Sequence, residues 1–129
     1  MLARSSPHSA AGAAGGSVGG GTINEVFAAQ CTIGGGSGNT VLGVSATVLG
    51  GETGTVSGTS GVILGGDTNN AIGASATVTG GLTNVADGDG AVVAGGENNR
   101  AACEDCVIGG GGGNTLYDTY VYSTLSGGS

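Results

Sequence analysis

Apolar and small residues recur along this chain in columns fifteen residues apart, with polar residues between them. Paired glycines set the frame, starting at Gly20, Gly35, Gly50, Gly65, Gly80, Gly95 and Gly110. Each block is numbered 1 to 15 from its first glycine. Position 14 reads Ile33, Val48, Ile63, Val78, Val93, Ile108 and finally Ser123. Position 12 reads Cys31, Ala46, Gly61, Ala76, Ala91, Cys106 and Val121, and position 7 reads Val26, Val41, Val56, Ala71, Ala86, Ala101 and Leu116. A fixed short period of this kind predicts a stack of near-identical coils.

Positions 12 and 14 lie two apart, so on a strand they point to one side, and that side is apolar or small enough to be buried. Position 7 supplies a second short strand. Glycines at positions 1, 2 and often 9 (Gly43, Gly58, Gly73, Gly88) are expected where the chain turns back, because glycine takes positive φ freely. Asparagine at position 5, as in Asn69, Asn84 and Asn99, suits a turn, and stacked amides can bond up a ladder. The expected coil is strand, Gly-Gly turn, strand, Gly turn, with strands of about three to five residues. Helix is excluded: three or more glycines per block each cost about 1 kcal/mol relative to Ala, and no window has three-and-four apolar spacing. The fold class is all-β, a parallel β-roll or solenoid of 15-residue coils.

The opposite face of the main strand is also free of charge. Position 13 reads Thr32, Thr47, Val62, Thr77, Val92 and Val107, and position 15 reads Gly34, Leu49, Leu64, Thr79, Ala94 and Gly109. A strand that is apolar on both sides is buried on both sides. One side faces the coil interior, which predicts another copy of the chain against Val62, Leu64, Val92 and Val107. Cyclic homo-oligomers are the default for such packing.

Composition narrows the function classes. The chain has 129 residues, one domain's worth, with 9% charged residues and a net charge of −7. Only Arg4 and Arg100 are basic, so nucleic-acid binding lacks its basic patch. No apolar run is long enough to insert across a bilayer. The expected division is a flexible N-terminal arm over 1–19, the β-roll over 20–116, and a cap or contact segment over 117–129 that holds Tyr117, Tyr120 and Tyr122. The arm lacks the apolar stretch of a secretory signal, and the transit-peptide reading (Arg4, several Ser, no early acid) is the lesser one.

The blocks NNAIGASATVTGG, NVADGDGAVVAGG and NRAACEDCVIGGG resemble the head repeats of trimeric autotransporter adhesins, and similar Gly-Gly-x-x-Asn-x-Ala-x-Gly arrays in fibre proteins of phages and giant viruses. The resemblance covers roughly residues 20–116. It implies a left-handed parallel β-roll, three chains side by side, used for surface attachment or as a rigid spacer. The chain departs from the adhesins in showing no export signal, coiled-coil stalk or C-terminal membrane barrel. That favours a virion-surface or other extracellular assembly, docked to a capsid or another fibre protein through 1–19 or 117–129.

Candidate chemistry is sparse. Cys103-Glu104-Asp105-Cys106 leaves three readings open: buried thiols filling small sites, a disulfide, or half a zinc site whose only remaining ligands are Cys31 and His8. Cys31 and Cys106 share a column but lie five coils apart, roughly 24 Å at the usual strand spacing, too far for a bond. Asp87, Asp89, Glu104 and Asp105 fall on one turn of adjacent coils, where calcium is weighed against a solvated turn, and the solvated turn is preferred. Thr32, Thr47 and Thr77 form part of a column of the kind displayed by ice-binding solenoids, although valines interrupt it. No nucleophile, base and acid converge, His8 is the lone histidine, and no phosphate loop follows the glycine runs, so no catalytic residue and no cofactor is assigned. The expected function is structural, a spike, fibre segment or attachment head. A homopolymeric filament stacked end to end is the alternative, and ice binding stands third.

Overall fold

The computed structural model describes residues 3–5, 9–11, 14–119 and 121–129. His8 and Tyr120 therefore lie outside the described residues. Among the described residues every element is a β-strand. Each regular coil carries two strands of two residues, shorter than the sequence suggests. In the coil that begins at Gly65 these are Asn70–Ala71 and Thr77–Val78. Glycine and left-handed residues on either side leave only two extended residues between bends.

Strands at positions 6–7 pair in parallel from coil to coil, with Asn70 opposite Thr55 and Val85, and Ala71 opposite Val56 and Ala86. Strands at positions 13–14 do the same, Thr77 lying opposite Val62 and Val92. A third column of single parallel bridges joins Thr22, Ser37, Glu52, Asp67, Leu82, Glu97 and Gly112 at position 3. The chain is thus a β-solenoid of about seven turns, with a register of fifteen that gives every column a like neighbour above and below.

The inward columns are those the pattern indicates. Val26, Val41, Val56, Ala71, Ala86 and Ala101 at position 7 are fully buried, as are Cys31, Ala46, Ala76, Ala91 and Cys106 at position 12. Ile33, Val48, Ile63, Val78, Val93 and Ile108 complete the core at position 14. The core is one residue wide at each site, so every coil depends on its neighbours to close it.

The asparagine and glycine columns differ in detail from expectation. The asparagines expected to stack in a ladder at position 5 are inside the coil: Asn24, Asn39, Asn69, Asn84 and Asn99 are buried. Asn84 Nδ2 donates to Gly80 O in its own coil and to Gly96 O in the next, both at 2.9 Å, while its Oδ1 accepts from Asn99 N at 3.0 Å. The ladder runs mostly from amide to backbone, and among the described residues Asn39 Nδ2 alone bonds another asparagine side chain, Asn24 Oδ1, at 3.1 Å. Among the glycine columns, position 2 has positive φ, as at Gly66 (φ 86) and Gly81 (φ 89), whereas the glycines at position 9, and those at position 1 other than Gly110, do not.

The ends differ from expectation as well. Within the segment read as an arm, Ser9–Ala11 pairs in parallel with Glu25–Val26, and Ser17–Val18 pairs with Thr32–Ile33. The coil stack therefore starts before Gly20. Ala3–Ser5 then pairs antiparallel with Ser9–Ala11, which ends the parallel order on that sheet. At the other end Thr124 lies opposite Val107 and Leu125 opposite Ile108, an offset of seventeen. Leu125, not Ser123, follows Ile108 in the position 14 column. Tyr117 and Tyr122 are 66% and 71% exposed, so they do not cover the last coil as a cap.

Candidate functional site

Two surfaces stand out on an otherwise regular stack: the uncharged outer face of positions 13 and 15, and the irregular final coil. On the outer face Val62, Val92 and Val107 are half-buried, while Leu64 is 41% exposed and Leu49 is exposed beside it. The valines are screened by their column neighbours one coil above and below, because each pairs directly with the next in register. A second run of exposed apolar residues, Phe27, Leu42 and Ile72, follows position 8 on the other sheet. That run was not singled out in the sequence because Ser57 and Asp87 interrupt it.

The final coil holds two extra residues, and its bulge turns a flat side into open grooves. One groove of about 400 Å³ is lined by Asp87, Gly88, Asp89, Ala102, Glu104, Asp118 and Val121. Beside it, Arg100, Ala102, Thr115, Tyr117, Asp118 and Thr119 line a second of about 400 Å³. Three of the four acidic candidates, Asp87, Asp89 and Glu104, do meet here, joined by Asp118. The fourth, Asp105, lies away from the groove, with its side chain over Gly90. Asp118 was missed because the insertion moves it out of the frame. The signal was present in Gly127-Gly128, which falls seventeen rather than fifteen residues after Gly110-Gly111.

Two of these carboxylates, Asp87 and Asp89, already have partners of their own. Asp87 Oδ2 accepts from Arg100 Nε at 3.2 Å and forms an ion pair with Arg100 Nη2. The hydrogen bond and charge of Asp87 hold the Arg100 guanidinium above its ordinary pKa. Asp89 Oδ1 accepts from Ala74 N at 2.9 Å. Among the described residues no group of three or more His, Cys, Asp or Glu is arranged to hold a metal ion.

The cysteines resolve into two kinds. Cys103 and Cys106 form a disulfide with their Cα atoms 5.4 Å apart, and both are buried. Cys31 is a free buried thiol whose Sγ donates to Gly43 O at 2.8 Å. The filler reading thus fits Cys31, and the bonded reading fits the pair. Asn69, Asn84 and Asn99 are in the structural ladder, each clamping its own coil to the next. No helix among the described residues is long and apolar enough to cross a membrane. No protein-family model matches the chain, and no curated protein sequence matches it closely enough to count as a relative.

Proposed function

We propose that the chain is a non-enzymatic structural module, a stiff stack of coils that packs side by side with copies of itself. The favoured form is a left-handed roll in a trimer, serving as a spike, fibre segment or attachment head on a virus particle. One observation carries this reading. The outer face of positions 13 and 15 is uncharged over six successive coils, from Thr32–Gly34 to Val107–Gly109, on a chain whose net charge is −7. A solvent-facing side of an acidic protein has no physical need to exclude every charge, whereas a side covered by another copy does.

Sedimentation or native mass spectrometry tests it directly. The wild-type chain is expected as a discrete oligomer. Leu64→Asp with Val92→Asp is expected to release folded single chains, since a carboxylate on a dry interface costs several kcal/mol. A wild-type chain that sediments as a stable, folded monomer at micromolar concentration would sink the reading.

End-to-end filament growth is the second reading. Tyr117, Val121 and Tyr122 are exposed at the C-terminal end, where the edge strands Thr115–Leu116 and Thr124–Leu125 have no further strand beyond them among the described residues. Against continuous stacking, the antiparallel Ala3–Ser5 strand occupies the opposite end of one sheet. Electron microscopy separates short rods from indefinite fibres.

A further inference from the structure

We propose that the Cys103–Cys106 disulfide is a redox latch that keeps the last coil docked, so that reduction releases the C-terminal segment while the rest of the solenoid stays folded. This rests on the reading of residues 117–129 as a contact segment only for its biological use. The latch itself stands on the geometry of the free chain.

Position 9 is one of the columns where neighbouring coils approach closely enough to exclude a Cβ in most coils. A Cβ added at Gly43, Gly58 or Gly73 would overlap the carbonyl oxygen of the position 9 glycine one coil on, and one added at Gly88 would overlap the Cys103 oxygen. Cys103 occupies this column with a full side chain. The coil that follows it is the one with two extra residues, and it shifts the register from fifteen to seventeen. Position 12, by contrast, accepts a lone thiol without disturbance: Cys31 sits there unbonded and buried, in a coil of regular length.

Bonding draws the Cys103 sulfur back across the turn towards Cys106 and away from the last coil. Reduction by an external dithiol breaks one S–S bond and forms two S–H bonds, while the reductant becomes a disulfide. The two sulfurs then move from bonded distance to van der Waals contact, roughly 1.5 Å farther apart. Both residues are 0–1% exposed, so the room must come from the surroundings. The Glu104–Asp105 turn that the bond closes is tied in two directions. Tyr122 N donates to Glu104 O at 3.0 Å, and Asp105 N donates to Asp89 O at 2.8 Å. The bond to Tyr122 belongs to the last coil, which has no further strand stacked on it among the described residues. The bond to Asp89 belongs to the continuous stack. Displacement of the turn therefore undoes the last coil first and uncovers the strand edges Arg100–Ala101 and Val107–Ile108.

Amide hydrogen exchange on the whole chain, oxidised and then treated with a phosphine reductant, tests this. The amides of Val107, Gly109, Gly112 and Tyr122 bond into or out of the last coil, and they are expected to exchange about tenfold faster or more after reduction. Those of Thr47, Val62 and Thr77 are expected to be unchanged. Equal exchange in both states overturns the latch, and so does a uniform acceleration along the chain. Cys103→Gly with Cys106→Ala matches Gly88 and Ala91 of the preceding coil and is expected to ignore the reductant; a response in that variant also overturns it. Alkylation after unfolding without reductant is expected to label Cys31 alone, and labelling of all three cysteines would end the proposal even if the variant failed to fold. Failure of the side-by-side assembly leaves each of these readouts intact.

Discussion

A methyl group added at Gly58 or Gly73 would overlap the carbonyl oxygen of the coil above, whereas one added at Gly65 or Gly80 meets nothing within 4 Å. At Gly58 and Gly73 glycine is thus required by close approach, whereas at Gly65 and Gly80 it is not. Gly65→Ala is expected to be neutral or to stabilise by about 0.4–1 kcal/mol through the unfolded chain. Gly58→Ala is expected to cost about 2 kcal/mol or more, and paired denaturant melts compare the two. The sequence could not make this distinction, because both columns read as glycine and the difference is a distance between coils. Gly54 shows the converse. It interrupts the asparagine column, so Asn39 Oδ1 accepts from Gly54 N at 2.8 Å, but no amide oxygen passes the ladder on to Asn69. Gly54→Asn is expected to raise stability by about 1 kcal/mol, and an unchanged melt would show that the gap carries no cost. Left-handed backbone at Thr53, Thr68 and Thr83 was illegible for another reason. Threonine is poor in that region, and only the flanking turns force it there. Asn98 occupies the same site in the next coil (φ 55), so Thr83→Asn is expected to gain a few tenths of a kcal/mol or more in a thermal melt.

At the scale of the element, each strand is two residues long and gains its stability from the columns it joins. Inward Ile63 and outward Val62 are adjacent, yet only the first is sealed in the core. Ile63→Ala is expected to lower stability by about 2–5 kcal/mol. The position 3 column behaves differently. Glu52 and Asp67 face each other across a parallel bridge, both exposed, and like charges so placed repel. Asp67→Asn is expected to stabilise by about 0.5 kcal/mol at low salt, with the difference fading near 1 M salt as screening shortens. Equal stability at low salt would show that the column is too solvated to matter. Alternation within positions 12 to 14 was legible because it is a period of two on a strand. The position 3 column was not, since it is a single bridge per coil with no apolar alternation to mark it. The final coil falls out of frame for a related reason: a fixed period of fifteen sets Ser123 over Ile108, whereas the two-residue shift, marked in sequence only by Gly127-Gly128, stacks Leu125 there.

For the molecule as a whole, the repeat makes stability a sum of like terms between neighbouring coils, so an end is always weaker than the middle. The two ends are finished differently, one by an antiparallel strand and the other by an enlarged, disulfide-backed coil. That asymmetry places the prediction of local, redox-dependent opening at the C-terminal end rather than along the stack. The amino-acid pattern alone determined that the chain is a parallel stack of fifteen-residue coils, and which columns point inward, because burial of one face imposes a periodicity that composition cannot hide. Tertiary structure alone decided which glycines are indispensable, that the asparagines are inside, where the stack begins, and that Asp118 joins Asp87, Asp89 and Glu104. Each of these depends on the separation of two coils or on an offset between them, quantities that arise only once one turn of chain rests on the next.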